Sequence, residues 1–280
     1  MSEDFLARMA ASSRERAAAT LAATPADVLD AQALASPLPP PLLLSPERFD
    51  LIAEVKLRSP AVGQLKGGDE NVAARVGGYA AAGAAAVSVL TEPTRFDGSL
   101  QHLEQAVAAL QAQGGGVPAM RKDFLVEPCQ VAEARIAGAG GILIIVRMLD
   151  DAALQALVAA AVRYGLFVLV ETFDAADIAR VATLRASPAA QGAQLLVGIN
   201  SRDLVTLQVV PGRLEQLASL LPPDLPRVAE SGVGSAEDAA RLAAAGYDLA
   251  LVGSALMSAT DPAQLLADML RAGRAARRGA

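Results

Sequence analysis

Cysteine and histidine each occur once in 280 residues, and tryptophan does not occur at all. A single cysteine, Cys129, can form neither an intramolecular disulfide nor a thiolate-rich metal cage, and it reads as a small buried helix residue. The single histidine, His102, lies among Gln101, Leu103 and Glu104 in a helical pattern and reads as a solvated helix residue. Any acid–base chemistry therefore falls to Lys, Glu or Asp. No His/Cys/Asp grouping has metal-ligand spacing, so no metal and no cofactor is expected. The run Gly114-Gly115-Gly116 reads as a helix-to-strand turn and not as a dinucleotide fingerprint.

Charge of one sign is also short. Lys and Arg number 24 against 30 Asp and Glu, a net charge of −6, which argues against a nucleic-acid binder because phosphate backbones demand clustered cations. A small anion is still admissible, since a few converging cations make a positive pocket in an acidic protein. No apolar run approaches the ~20 residues of a membrane helix; Gly141 to Val146 is strand-length. The start, Met1-Ser2-Glu3-Asp4, has no basic region before an apolar stretch. A cytoplasmic protein with no membrane contact is expected.

What the chain does have is 53% apolar residues, largely alanine and aliphatics, arranged as short runs that end in chemically useful side chains. Leu51-Ile52-Ala53 leads to Glu54 and Lys56, and Val117-Pro118-Ala119-Met120 to Arg121, Lys122 and Asp123. Phe167-Val168-Leu169-Val170 ends at Glu171, and Leu195 to Ile199 at Asn200. Val228-Ala229 runs through Glu230 to Ser231, and Leu249 to Val252 reaches Gly253-Ser254. Such continuous runs are the signature of buried parallel strands. The pattern predicts strands over 51–56, 85–91, 117–123, 141–146, 166–171, 194–200, 227–231 and 249–253. Helices are predicted near 70–83, 99–113, 129–139, 151–164, 174–186, 211–221, 235–245 and 261–276. Asp150 and Ser235 are expected N-caps, and Gly165 and Gly246 left-handed helix ends. Eight alternating units define an α/β fold, a (β/α)8 barrel with its site at the strand C-termini. Residues 1–46 are read as an N-terminal helical extension with a Pro-rich linker, packed on the barrel or over one mouth, and 47–280 as the catalytic barrel. The basic tail Arg271, Arg274, Arg277 and Arg278 is expected to be a solvated helix end.

Glu54 and Lys56 are two apart on a strand and so share one face, which in a barrel is the lumen. Taken alone, they suit a structural ion pair as well as a functional one. Lys122 near the end of strand three adds a second lysine, and Glu171 a second carboxylate. A desolvated lysine beside another cation is expected to have a lowered pKa and to serve as a proton donor; a rim pair with Asp123 is the plainer reading. Asn200 and Arg202 share a face after strand six and could orient a polar substrate. Ser231-Gly232 and Gly253-Ser254 follow strands seven and eight, where barrel loops grip phosphate through backbone N–H groups.

These motifs resemble the indole-3-glycerol phosphate synthases of the tryptophan pathway, from about Leu51 to Met257. The resemblance is carried by Ile52-Ala53-Glu54-Val55-Lys56 with Ser59-Pro60, and by Ser88-Val89-Leu90-Thr91-Glu92 with Phe96-Asp97-Gly98-Ser99. Arg121-Lys122-Asp123-Phe124, Val170-Glu171 and Gly198-Ile199-Asn200-Ser201-Arg202-Asp203-Leu204 extend it. So do Ala229-Glu230-Ser231-Gly232 and Val252-Gly253-Ser254-Ala255-Leu256-Met257. The family resemblance implies decarboxylating ring closure and dehydration of 1-(2-carboxyphenylamino)-1-deoxyribulose 5-phosphate. It puts the general acid on Lys122, and carboxylate binding or help in dehydration on Lys56. Loss of the hydroxyl is assisted by Glu171, with Glu54 beside Lys56. Asn200, Glu230 and Ser231 take orienting positions and Arg202 a substrate contact. Gly232, Gly253 and Ser254 take the phosphate, Phe96 faces the anthranilate ring, and Ser59 and Arg58 lie in the first loop. The implied partner is the small phosphorylated substrate alone, with the protein a monomer or weak homodimer.

The sequence departs from the family at Ser59-Pro60-Ala61, where Ser-Pro-Ser is usual, at Arg58, at Pro128-Cys129 and at Thr172-Phe173. None falls on a position assigned to proton transfer. Two other enzyme readings are open to a phosphate-gripping barrel. A Schiff-base aldolase would form a reducible imine, and the preceding isomerase would need a Cys and an Asp at strand ends. A catalytically silent phosphate binder would have lost Lys56, Lys122 or Glu171, and all three are present.

Overall fold

The computed structural model describes residues 5–60, 63–65 and 70–278; Met1 to Asp4 and Ala61, named above, lie outside them. Eight parallel strands close a barrel: β1 (Asp50–Val55), β2 (Ala86–Leu90), β3 (Ala119–Lys122), β4 (Gly141–Ile145), β5 (Phe167–Thr172), β6 (Leu195–Asn200), β7 (Arg227–Glu230) and β8 (Leu249–Val252). Each pairs with its sequence neighbour, and β1 closes on β8 with Asp50 opposite Leu249. The strand and helix positions are those expected, with short additions in the loops after β1, β2 and β8. These are a hairpin of Arg58–Ser59 with Gly63–Gln64, a helix Pro93–Phe96 and a helix Ser254–Ser258. The helix expected over 211–221 is shorter, Arg213–Ala218. Left-handed Gly212 (φ 75°) begins it, and Pro222-Pro223 follow closely.

Local signals are obeyed. Asp150 accepts from the Ala153 amide and Ser235 from the Asp238 amide, each satisfying a donor the helix cannot. Gly165 and Gly246 end their helices with φ of 69° and 99°, a region costly for any residue with a Cβ.

Strand periodicity of two sorts the core into two shells. Leu51, Ala53, Val87, Val89, Val168, Val170 and Val197 belong to the shell packed against the surrounding helices. Ile52, Ala86, Met120, Leu143, Phe167, Leu169, Leu196, Val228 and Leu249 form the inner cluster. Both parts of the N-terminal segment join that cluster. Phe5, Leu6 and Met9 come from helix Phe5–Ala23, and buried Leu42 comes from the Pro-rich stretch. The stretch is extended, as its prolines require, but it is also tied down: the Arg135 guanidinium donates to the Ser36 and Pro37 carbonyls, and Gln194 donates to that of Leu42.

The C-terminal basic residues correct the expectation of a solvated helix end. Arg274 donates to the Phe49 carbonyl and pairs with Asp50, and Arg277 pairs with Asp248 at 2.6 Å. They staple the last helix, Pro262–Arg278, to residues at the starts of β1 and β8. Arg271 is exposed and pairs within its own helix, with Asp268. No helix among the described residues is long and apolar enough to cross a membrane.

Candidate active site

The C-terminal ends of the strands open into a cavity of about 430 Å³. Its charged floor comes from alternate lumen positions. Glu54 and Lys56, two residues apart at the end of β1, pair at 2.6 Å. From β3, Lys122 Nζ reaches Glu171 on β5 at 3.1 Å and Glu230 on β7 at 3.5 Å. The Glu171 and Glu230 side chains are 3% and 1% exposed, against 18% for Lys122, so the lysine is the most open of the three.

Two lysines among three carboxylates invert the expected electrostatics. The plainer alternative, a Lys122–Asp123 rim pair, is not formed. Nor is Lys122 depressed by a neighbouring cation. Burial pushes its pKa down, but Glu171, Glu230 and Glu54 outweigh it and hold Lys122 above its ordinary value. The lysine is a fixed ammonium. The displaced titration appears on Glu230, where burial and then the adjacent Glu171 carboxylate push the carboxyl well above its usual range. Glu230 Oε1, Glu54 Oε2 and the Ser88 hydroxyl are buried with no hydrogen-bond partner among the described residues.

Two glycines make this charge cluster possible. A Cβ on Gly253 would stand 2.2 Å from Glu54 Oε1 and 3.1 Å from Lys56 Nζ. One on Gly198 would stand 2.1 Å from Glu230 Oε1. Both glycines were visible as motif members, but nothing in the sequence says that they make room for carboxylates.

Asn200, Arg202, Ser231, Gly232, Gly253 and Ser254 all line the cavity. Asn200 Oδ1 accepts from the Arg202 amide at 2.9 Å, and the Arg202 guanidinium donates to the Leu207 carbonyl. That contact folds the loop after β6 so that Leu204, Leu207 and Val209 face the cavity. Ser231 and Gly232 are consecutive left-handed residues, with φ of 67° and 70°, and Ser201 Oγ donates to the Ser231 carbonyl at 3.0 Å. Ser254 opens helix Ser254–Ser258 directly after Gly253.

An aromatic wall faces the charged floor. Phe96 ends helix Pro93–Phe96, which Glu92 caps by accepting from the Thr94 and Arg95 amides at 2.8 and 2.7 Å. Its ring lies 6.0 Å from that of Phe124, which Phe5 meets edge-on at 5.9 Å. Phe5 and Phe124 were missed as site residues. Phe5 sits in an N-terminal helix with no local mark of a site, and Phe124 was legible only as part of a motif. Ser59 lines the cavity from its hairpin. Arg58 is the expected substrate contact that does not: it is exposed and faces Asp97 at 3.7 Å. Hairpin alternation turns it away from Ser59.

Fold and site together define a (β/α)8-barrel enzyme with its charged cavity at the C-terminal strand ends. A family model described as indole-3-glycerol phosphate synthase matches residues 6–269. The indole-3-glycerol phosphate synthase of Leifsonia xyli subsp. xyli is 40% identical over 272 residues, 96% of this chain and 98% of that one. That of Opitutus terrae is 42% identical over 218 residues, 78% and 79% of the two chains. Among solved structures, thiamine phosphate pyrophosphorylase from Pyrococcus furiosus overlays with a TM-score of 0.57 at 16% identity, covering 82% of this chain and 98% of that one. That likeness is one of fold alone. The chain belongs to the indole-3-glycerol phosphate synthase family.

Proposed function

We propose that the protein converts 1-(2-carboxyphenylamino)-1-deoxyribulose 5-phosphate into indole-3-glycerol phosphate, releasing CO₂ and water. The observation that carries this reading is the Lys122 ammonium, fixed between Glu171 and Glu230 at the foot of the cavity. The ring carbon bearing the carboxylate attacks the ketone carbon while Lys122 gives its proton to the carbonyl oxygen. Departure of CO₂ returns its electron pair to the ring. The new hydroxyl then leaves as water with a proton from an acid, and loss of a ring-carbon proton completes the indole.

The second proton suits the Glu171–Glu230 pair. Glu230, pushed toward its neutral form, keeps a proton within reach of both Glu171 and Lys122. Lys56, held by Glu54 at the edge of the cavity, binds the substrate carboxylate, and Phe96 covers the aromatic ring. Asn200, Arg202 and Ser231 orient the sugar. The backbone amides around Gly232, Gly253 and Ser254 take the phosphate. Gripping both ends folds the substrate into a reactive shape, and each positioned acid or base supplies about 10²- to 10⁴-fold. An aldolase mechanism needs a neutral lysine amine, which the carboxylates around Lys122 disfavour. The same reading has the enzyme act in the cytoplasm, as a monomer or weak homodimer.

The test is direct. Purified protein with this substrate should release CO₂ and develop indole fluorescence with no added metal or cofactor. The chain has no Trp, so the protein adds no indole emission of its own. Substrate consumed without indole, or an imine trapped by borohydride, would overturn the reading.

A further inference from the structure

We infer that Arg16 is a positioning residue: from the N-terminal helix it fixes, through Asp123, the end of the strand that presents Lys122 and the Phe124 ring. The inference rests on the proposed role of Lys122.

Asp123 follows Lys122 directly and points to the other side of the chain. Its side chain is fully buried, and five donors meet it. Arg16 grips both oxygens as a fork, Nη2 on Oδ1 at 2.7 Å and Nη1 on Oδ2 at 2.8 Å. Thr91 Oγ1 donates at 2.7 Å, the Phe124 amide at 2.8 Å, and Arg121 Nη2 at 3.2 Å. Three of these come from the barrel within a short stretch of the fold. Arg16 alone comes from helix Phe5–Ala23, 107 residues away in sequence.

Arg121 cannot take over the fork. Its Nη1 is already committed to the Gln130 carbonyl at 2.8 Å and to Glu133 at 3.1 Å. Without Arg16, the carboxylate would lose two of its five donors, and its link to the Phe124 amide would be free to shift. Phe124, next in the chain, carries the middle ring of the aromatic wall, and Lys122 directly precedes Asp123. A planar bidentate pair fixes orientation as well as charge, which a Lys or an apolar residue could not reproduce.

Helix attachment alone does not call for this pair. The same helix is held by Thr20 donating to Glu133 at 2.6 Å and by Gln130 donating to Ser13 Oγ at 2.8 Å. A buried ion pair is in any case a poor source of net stability compared with apolar packing. What the fork adds is a fixed angle at the strand end, and a small misplacement there is expensive for catalysis.

The experiment uses the full chain, comparing parent, R16A and R16K by indole formation well below their unfolding temperatures. R16A should remain folded and lose about 10- to 100-fold in kcat/KM, with kcat falling as Lys122 loosens and KM rising as Phe124 does. R16K should recover only part of the loss. Guanidinium ion at tens of millimolar should restore R16A and leave the parent unchanged, because the Arg16 side chain is partly exposed and its site can be entered. R16A with a lower Tm but parental kcat and KM would overturn the inference, as would guanidinium restoring Tm without rate. If R16A does not fold, R16K decides: a reduced rate at unchanged Tm supports the role, and a parental rate contradicts it. A parent that makes no product overturns the proposed function and this inference together. An active parent with an equally active R16A overturns this inference alone.

Discussion

Lys122 and Glu171 meet at 3.1 Å across the mouth of the barrel, one from β3 and the other from β5. The strand between them, β4, sends Leu143 and Ile145 into the cavity lining, so the pair is bounded by apolar side chains. Their attraction is screened less there than at a surface. Glu230 completes the group from β7, and its raised pKa is the counterpart of the lysine's fixed charge.

That counterpart has a measurable sign. Glu230 is raised well above its ordinary 4.5, so the folded state holds the proton more tightly than the unfolded chain. The stability this gives is complete below the ordinary value and is lost as pH rises through the folded value. E230Q removes the titration. Its Tm relative to the parent should therefore increase from pH 5 to pH 8, while indole formation falls about 10²-fold or more. Thermal melts across that range check the first, and steady-state kinetics the second. A Tm difference independent of pH would contradict the assignment.

Asp123 has the opposite sign. Burial pushes its carboxyl up, but the Arg16 fork, Arg121 and Thr91 outweigh it and hold the pKa at about 2, below the usual 3.8. Its contribution is present above the usual value and is lost as pH falls toward 2. Nearly two pH units correspond to about 2 kcal/mol. D123N should be less stable than the parent at pH 7, and the gap should narrow by roughly that amount on acidification. About half of that, roughly 1 kcal/mol, is lost between pH 7 and pH 3, and urea unfolding at those two values measures it.

Gly253 offers a steric test. A methyl there meets Glu54 Oε1 at 2.2 Å, so G253A must displace the Glu54–Lys56 pair. The expected cost is about 1–3 kcal/mol in stability and about 10- to 100-fold in kcat/KM, read by denaturant unfolding and by kinetics. A fully active G253A would mean that the pair is dispensable.

Much of this architecture is legible in the sequence. Apolar runs and their polar ends set all eight strands and placed Glu54, Lys56, Lys122, Glu171, Asn200 and Ser231 at one mouth, because period-two alternation puts side chains on a known face. Capping residues and left-handed glycines marked the helix ends at Asp150, Ser235, Gly165 and Gly246. What the pattern could not carry was the partner of each charge. Lys122 was expected beside a cation and lies between carboxylates, since pairing across β3, β5 and β7 depends on barrel stagger and not on sequence spacing. Arg58 sits next to a lining residue yet faces Asp97. Phe5, Arg16 and Arg274 act across more than a hundred residues, and Arg277 reaches Asp248 from another element. Local sequence is silent at that range.

The central claim is that Lys122 donates the first proton. It is tested most directly by following indole fluorescence with K122A, under conditions where circular dichroism shows the barrel folded. Turnover should fall by about 10²- to 10⁴-fold with substrate still bound. K122A that turns over as fast as the parent would contradict the account.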